Sequence, residues 1–86
     1  MRAAKRIAWN LRRLRVSRQL SQESLAVDAN VDVSYVSRLE GASENPTIGL
    51  LEKLASALGA DICDLLAEPS RGDRKPEPLK SGRRPK

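Results

Sequence analysis

The amino-acid sequence predicts an all-α fold of five helices followed by a basic tail. Apolar residues recur at helical spacing, capping residues separate these runs, and no alternating strand pattern is visible. The chain has 86 residues, with one tryptophan, one tyrosine and no phenylalanine. A core built mainly from Leu, Ala, Val and Ile in so short a chain has modest stability, so association with a second copy would add to it.

The five helices are placed by their apolar stripes and by the residues at their ends. We predict helices over about 3–18, 22–29, 33–40 and 48–58, with a short last helix after residue 61. The N-caps that can accept a hydrogen bond from the following turn are Ser21, Asp32, Thr47 and Asp61. The residues predicted to end helices are Asn30, Gly41 and Gly59. The apolar residues expected to face inward are Ile7, Leu11, Leu14, Leu25, Ala26, Ala29, Val36, Leu39, Ile48, Leu51, Leu54, Ala55, Leu58, Ile62, Leu65 and Leu66.

The positive charge is concentrated at the two ends of the chain. The net charge is +5, while residues 1–68 carry as many basic as acidic residues. Residues 1–18 contain basic residues and no acid, and residues 69–86 combine Pro, Gly, Ser and charge. We expect one domain over 1–68 and a disordered basic tail over 69–86. Basic clusters of this kind suit a polyanion such as DNA, or they form a solvated surface.

Several classes of function are disfavoured by what the composition lacks. There is no histidine, and Cys63 is the single cysteine. These counts exclude a zinc site of the usual Cys/His type and a Cys–His or Ser–His catalytic pair, so we expect neither an enzyme nor a cofactor. No apolar run approaches the roughly 20 residues of a membrane span, so we expect no membrane partner. A reducing cytoplasm fits the cysteine count, and the arginine-rich start is assigned to the first helix rather than to a transit peptide.

Two short helices joined by a tight turn form the most informative motif. The small residue Ala26 suits a close helix crossing, and Asn30 permits the sharp turn four residues later. Val31, Val36 and Leu39 then hold the second helix against the first. This is the helix-turn-helix arrangement, which presents its second helix to the DNA major groove. Ordinary helical hairpins share this spacing, so the motif alone does not establish the function.

The segment from Leu20 to Leu66 resembles the XRE family of regulators, the group that contains phage repressor and Cro proteins. The resemblance rests on Ser21-Gln22-Glu23-Ser24-Leu25-Ala26, Val36-Ser37-Arg38-Leu39-Glu40, Asn45-Pro46-Thr47 and Leu54-Ala55-Ser56-Ala57-Leu58-Gly59. It implies a five-helix repressor-like DNA-binding domain whose helices 2 and 3 form the helix-turn-helix. The run Tyr35–Glu40 and the Asn-Pro-Thr element are most similar to restriction–modification controller proteins.

The resemblance also implies roles for individual residues. It places Val33, Ser34 and Arg38 at base edges, where arginine pairs with guanine O6 and N7. Asp32 matches the same face, but phosphates would repel its charge, so we expect it to act as a cap. The remaining residues expected at or beside DNA phosphates are Gln22, Tyr35, Ser37, Ser43 and Asn45. Arg15 and Glu40 match a partly buried ion pair between helices 1 and 3.

A homodimer that binds double-stranded DNA is the assembly that the resemblance implies. Its interface is expected on helices 4 and 5, at Leu50, Leu58, Ile62, Cys63, Leu65 and Leu66. The predicted function is sequence-specific regulation of transcription at an inverted-repeat operator in the bacterial cytoplasm, associated with the nucleoid.

Two other functions remain open. One is an antitoxin that holds a protein partner through the Trp9/Val16 strip or the tail, although that strip can equally pack on the last helix. The other is a protein-binding antiactivator that keeps the fold without binding DNA. The acidic residues Asp32 and Glu44 near the recognition surface favour the antiactivator.

Overall fold

The computed structural model describes residues 3–69, which contain five helices and no strand. The helices are α1 (Ala3–Ser17), α2 (Gln22–Ala29), α3 (Val33–Glu40), α4 (Ile48–Leu58) and α5 (Ile62–Leu66). These bounds agree with the predicted ones to within one residue, and the all-α prediction is confirmed. The predicted disordered tail, apart from its first residue, lies outside the described residues.

The core receives one fully buried leucine from every helix. Neighbouring helices pack as α1 on α3 and α5, α2 on α3 and α4, and α4 on α5. These five leucines are Leu11, Leu25, Leu39, Leu54 and Leu65, each with 0–1% of its surface exposed. A helix as short as α5 has little stability of its own, so its attachment through Leu65 is what keeps it in place.

Two residues predicted to face inward lie at the surface instead. Ile48 is 64% exposed because it is the first residue of α4, beyond the part of the helix that its neighbours cover. Leu66, the last residue of α5, is 36% exposed. Both fit the apolar periodicity of their helices, but periodicity does not show how far the covering elements extend.

Three of the four predicted N-caps make their hydrogen bonds. Ser21 accepts from the Ser24 backbone N–H at 2.9 Å, and Thr47 accepts from Leu50 at 3.1 Å. Asp61 accepts from the N–H of Cys63 at 3.1 Å, and Asp64 accepts from the Asp61 N–H at 2.9 Å, which completes a capping box.

The capping bond predicted for Asp32 is absent. The residue has the extended backbone of an N-cap, with φ −72° and ψ 136°, but its side chain accepts no hydrogen bond from the helix backbone. The Ser34 hydroxyl donates to Asp32 Oδ2 at 2.6 Å instead. The carboxylate therefore belongs to the outer surface of α3.

Left-handed backbone conformations end α2 and α4 where the sequence predicted. Asn30 has φ 59° and ψ 48°, and its N–H donates to the carbonyls of Ala26 and Val27. Gly59 has φ 67°. After α3 the left-handed residue is Ala42, with φ 61°, while Gly41 has φ −89°. The left-handed residue after α3 thus comes one position later than Gly41, the residue predicted to end this helix.

Polar side chains of α1, and Arg18 directly after it, bind the carboxyl-terminal ends of other helices. The fully buried Asn10 donates from Nδ2 to the carbonyls of Leu65 at 2.9 Å and Ala67 at 2.6 Å. Arg6 donates to the Leu66 carbonyl at 3.2 Å, and Arg18 donates to the Leu58 carbonyl at the end of α4. Cations and donors are favourable there because the last carbonyls of a helix lack partners within it.

None of the helices within residues 3–69 is long and apolar enough to cross a membrane.

Candidate nucleic-acid interface

The outer face of α3 is a row of exposed side chains on a helix whose other face is buried. Val36 and Leu39 are 0% and 1% exposed and fix α3 in the core. The residues left at the surface are Val33, Ser34, Ser37 and Arg38, with Val33 37% exposed. The three residues predicted to contact bases are therefore together on one accessible face.

The end of α3 is fixed by the ion pair expected between Arg15 and Glu40. Arg15 Nε lies 2.6 Å from Glu40 Oε2, and Arg15 Nη2 donates to Glu40 Oε1 at 3.0 Å. The two side chains are 5% and 4% exposed. Arg15 Nη1 also donates to the Leu20 carbonyl at 2.7 Å, so one guanidinium joins α1, α3 and the loop before α2. Such a bidentate pair fixes orientation as well as distance.

Gln22 belongs to the same network. Its Nε2 donates to Glu40 Oε1 at 3.0 Å, and its side chain is half-buried at the start of α2. One N–H of this amide is thereby used inside the protein, and the amide keeps a second one. The phosphate contact expected of Gln22 depends on that second N–H and stays a prediction.

Arg38, the residue expected to contact guanine, has three protein contacts of its own. Its Nε donates to Glu44 Oε2 at 2.6 Å, and Nη1 lies 3.4 Å from the Ser34 hydroxyl oxygen. The guanidinium carbon stands 5.5 Å from the centre of the Tyr35 ring. The Arg38 side chain is nevertheless 49% exposed, so it is held while remaining accessible.

The loop after α3 contributes Ser43, Glu44 and Asn45 to the same side of the domain. Ser43 donates its hydroxyl to the Arg38 carbonyl at 3.1 Å and so completes the end of α3. Asn45 is exposed, as is Ser37 on the helix. The predicted phosphate contacts of Ser37, Ser43, Asn45 and Tyr35 are not tested by these positions and remain predictions.

Carboxylates outnumber cations on this face. With Arg15 and Glu40 paired to each other, its remaining charged residues are Asp32, Glu44 and Arg38. A DNA-binding face usually carries excess positive charge, because phosphate contacts supply most of the affinity. Attraction to phosphate must therefore come from amide and hydroxyl groups here, or from basic residues elsewhere in the chain.

The surface predicted for a dimer needs correction at two residues. Leu58 is 3% exposed and Leu65 0% exposed, so both belong to the core of one domain and offer nothing to a second copy. Leu50 and Ile62 are half-buried, while Cys63 and Leu66 are exposed. These four residues are the part of the predicted interface that α4 and α5 leave at the surface. We call it the α4/α5 surface.

The thiol of Cys63 on this surface is exposed and has a raised pKa. Its hydrogen bond with Asp61 raises the pKa of the thiol above its ordinary value, and the negative charge of Asp61 adds to the effect. The same bond, together with the backbone N–H of Cys63, lowers the pKa of the Asp61 carboxyl. A raised thiol pKa means little thiolate at neutral pH and hence low reactivity.

The Trp9/Val16 strip is half-buried on the outer face of α1. The helical neighbours of Trp9, three and four residues away, are all basic: Lys5, Arg6, Arg12 and Arg13. The indole Nε1 is buried and has no hydrogen-bond partner within the described residues. The protein partner predicted for this strip is not tested by its position.

Sequence reasoning missed the residues whose roles depend on distant neighbours. The sequence marks Glu44 only as an acidic residue near the recognition surface, because its bond to Arg38 spans a loop with no regular periodicity. Asn10 lies on a helix side that the apolar stripe does not mark, yet it is 1% exposed. The one available signal was its polarity beside a buried stripe, which is too common to single out a residue.

Comparison with known proteins agrees with this architecture. A family model described as a helix-turn-helix domain matches residues 6–68. The chain belongs to this helix-turn-helix family. Its relatives are XRE-type regulators and restriction–modification controller proteins.

Three relatives illustrate the similarity. A hypothetical transcription factor of Neisseria meningitidis is 40% identical over 63 residues, which make up 73% of this chain and 59% of that protein. Its crystal structure superposes with a TM-score of 0.77 at 37% identity, covering 79% of this chain and 78% of the other.

The controller protein C.AhdI of Aeromonas hydrophila has a TM-score of 0.70 at 35% identity, covering 72% of this chain and 94% of its own. The control protein C.BamHI of Bacillus amyloliquefaciens is 35% identical over 57 residues, or 65% of this chain and 70% of that protein. Several curated relatives are longer, and the chain spans about half of their length.

Proposed function

We propose that this chain is a sequence-specific DNA-binding regulator of transcription that inserts the outer face of α3 into the major groove. The observation that carries the proposal is the contrast between the two faces of α3. Val36 and Leu39 are buried, and the row containing Val33, Ser34 and Arg38 is exposed. A helix that is anchored in the core by one face and exposes the other suits the direct recognition of base edges.

The supporting network makes α3 a rigid element. The Arg15–Glu40 pair and the Gln22 amide tie the end of α3 to α1 and α2. Recognition of bases needs donors and acceptors at fixed positions, because a displaced hydrogen bond loses its selectivity. The buried pair therefore supports specific rather than purely electrostatic binding.

The chain acts as a homodimer in this proposal, with the α4/α5 surface as its interface. A second copy would cover Leu50, Ile62, Cys63 and Leu66, whose side chains are half-buried or exposed on α4 and α5. Two-fold symmetry would place the two α3 helices about 34 Å apart, one turn of DNA, and would select an inverted-repeat operator. In this proposal the bound dimer acts by occupancy, and it blocks or recruits RNA polymerase according to where the operator lies.

Selection from a random pool of double-stranded DNA tests this function. The purified protein should enrich an inverted repeat whose half-sites are about one helical turn apart. Arg38→Ala should weaken binding by about 1–3 kcal/mol and relax the preference at one base pair in each half-site. Lys53→Ala is a matched control, since it removes one exposed cation from α4 and should leave the preference unchanged.

Recovery of no motif, with only weak and salt-sensitive binding, would overturn the proposal. The acidic character of the α3 face supports the antiactivator as the second candidate in that case, because Asp32 and Glu44 would suit a basic protein surface. An antitoxin would be identified by a small protein that co-purifies and whose binding is abolished by substitution of Trp9.

A further inference from the structure

Glu44 is the closest charged partner of the arginine that the proposed function places against bases. The Arg38 Nε to Glu44 Oε2 distance is 2.6 Å, and the two side chains are 49% and 29% exposed. The Ser34 hydroxyl, which itself donates to Asp32, and the Tyr35 ring lie on other sides of the same guanidinium. These contacts surround Arg38 without burying it.

We propose that Glu44 is a specificity-determining residue, which positions Arg38 for guanine and also weakens binding to DNA of every sequence through its charge. This inference rests on the proposed function and concerns one residue of the loop that follows α3. Glu44 contacts no base itself. It acts through Arg38, so it is a positioning residue.

The chemistry of the guanidinium explains the positioning. Arginine has five N–H donors in a planar fork, and the single donor on Nε is bonded to Glu44. The terminal nitrogens Nη1 and Nη2 keep at least three donors beyond the long contact with Ser34. Two parallel donors at this end match the O6 and N7 acceptors of guanine. Glu44 thus leaves the guanine-binding end free and fixes the rotation of the group that carries it.

The charge of Glu44 has the opposite effect on DNA in general. Its carboxylate lies beside the face that approaches DNA, and phosphates repel it whatever the sequence. The penalty is offset only where Arg38 finds guanine, because the oriented guanidinium then makes two hydrogen bonds. The carboxylate therefore lowers affinity for every sequence by a similar factor, and the ratio between specific and non-specific binding depends on the orientation that it gives to Arg38.

Two substitutions separate the positioning effect from the charge effect. Glu44→Gln removes the charge but keeps an oxygen that can accept from Nε, whereas Glu44→Ala removes both. Glu52→Ala is the matched control, since it deletes an exposed glutamate of α4 that makes no contact with Arg38. Each full-length variant is titrated against the selected operator, against the operator with the Arg38-dependent G·C pair changed to A·T, and against unrelated DNA.

The expected result is a different pattern for each variant. Wild type should prefer the G·C operator by about 10-fold or more. Glu44→Gln should keep most of this preference. Glu44→Ala should reduce it to about twofold, because Arg38 Nε then loses its acceptor and only the long Ser34 contact and the Tyr35 ring still orient the guanidinium. Both should bind unrelated DNA about two- to threefold more tightly at low salt, an effect that fades as salt screens the charge. Glu52→Ala should keep the full preference.

An unchanged preference in Glu44→Ala, with a wild-type motif recovered, would overturn the role of Glu44 and leave the proposed function intact. Equal loss of preference in Glu44→Gln and Glu44→Ala would also overturn it, since charge alone would then govern Arg38. Failure of wild type to select any motif would overturn the proposed function itself. Circular dichroism melting of each variant excludes a fold defect as the cause.

Discussion

Arg15 and Arg38 are both arginines paired with a glutamate at 2.6 Å, and their surroundings give them different roles. Arg15 and its partner are about 5% exposed, so neither charge has water as an alternative partner. Arg38 is half-exposed and can exchange its protein contacts for others. Exposed pairs contribute little to stability, whereas removing one member of a buried pair leaves an uncompensated charge. The first arginine maintains the fold and the second is free to bind.

Substitution of Arg15 by alanine should destabilise the protein strongly. The Glu40 carboxylate would keep only the Gln22 amide as a partner in a nearly buried position, and such a change costs about 3–5 kcal/mol. Chemical denaturation monitored through the single tryptophan measures the loss. Replacing both members, as Arg15→Met with Glu40→Leu, should cost less than Arg15→Ala alone.

Arg13→Ala is the control for this prediction. Arg13 is exposed on the same helix, so its removal should change the free energy of unfolding by no more than about 0.5 kcal/mol. Similar losses for Arg13→Ala and Arg15→Ala would mean that general charge effects on α1, and not the buried pair, set the stability.

The thiol of Cys63 should ionise at higher pH than an ordinary cysteine. Its hydrogen bond with Asp61 and the charge of that carboxylate raise the thiol pKa. The rate of alkylation, followed against pH, should therefore have a midpoint that moves down in Asp61→Asn. Asparagine is a good N-cap, so the helix end should survive the change. A rate lowered equally at every pH would instead indicate a covered thiol.

Lowering the pH should reduce the contribution of Asp61 to the free energy of unfolding. The folded state lowers the pKa of Asp61, so the ionised carboxylate favours folding. This contribution is present above the pKa of the unfolded chain and is lost as pH falls through the lower folded value. Asp61→Asn should accordingly flatten the fall in stability on the acidic side of that window.

Sequence reasoning at this scale succeeded where a residue acts through its near neighbours. Ser21 caps α2 by accepting a hydrogen bond from the backbone N–H of the residue three positions later. Asn30 adopts the left-handed conformation that asparagine tolerates. The same argument was wrong for Asp32, because the Ser34 hydroxyl donates to the carboxylate in place of a backbone N–H of α3. Local chemistry offers both bonds, and only the final arrangement of side chains selects between them.

At the scale of elements, the helix ends carry the clearest departures from ideal backbone geometry. Gly59 ends α4 at φ 67°, where a side chain is strained whatever space surrounds it. Ala42 has a similar angle, φ 61°, after α3 and carries a Cβ there. Exchanging alanine and glycine at Ala42 and at Gly59 should therefore change stability in opposite directions, because glycine adopts a positive φ more easily than alanine does.

Ala42→Gly should stabilise the domain and Gly59→Ala should destabilise it, each by roughly 1 kcal/mol or less. No atom lies within 4 Å of a Cβ built on Gly59, so the expected loss comes from the backbone alone. Thermal unfolding of the two variants measures both signs. Gly49→Ala is the control within α4, since its new Cβ meets only the Thr47 hydroxyl at 4.0 Å. It should be neutral or stabilising, and a loss as large as that of Gly59→Ala would contradict the conformational argument.

The helices themselves were predictable because stripes and caps are local signals. All five helices were found, and α2, α3 and α4 have the predicted limits. The exposure of Ile48 was not predictable in the same way, and neither was the choice between core and interface for Leu58 and Leu65, which the sequence assigned to both. Apolar residues of one stripe can serve either the core or an interface, and only the positions of the neighbouring helices decide which.

At the scale of the whole molecule, the positive net charge does not belong to the described domain. Residues 3–69 contain eight basic and nine acidic residues, so the net charge of +5 comes from the two ends of the sequence. Arg6, Arg15 and Arg18 are moreover bonded inside the domain. The cations that favour a polyanion partner are therefore local ones, at the two ends of the sequence and on α1, where Lys5 and Arg13 are exposed.

Self-association should depend on the α4/α5 surface. Leu66→Asp places a charge on the α4/α5 surface and should weaken a dimer by about 10-fold or more, as truncated contacts at an interface centre do. Val27→Asp is the control, because Val27 is 77% exposed on α2, outside that surface. Sedimentation equilibrium measures both. A wild-type protein that is monomeric at all accessible concentrations would contradict the proposed interface.

The division of α3 into a buried and an exposed row has a consequence for how such a protein can change over generations. Val36 and Leu39 join this helix to the core and Tyr35 packs against its edge, while Val33, Ser34 and Arg38 do not belong to the core. A library randomised at the exposed positions should therefore consist mostly of folded members that differ in the DNA they prefer. If α3 contacts bases as proposed, new DNA preferences would be accessible by single steps without passing through unstable intermediates, and duplicated copies of this gene could diverge into regulators that ignore each other's sites.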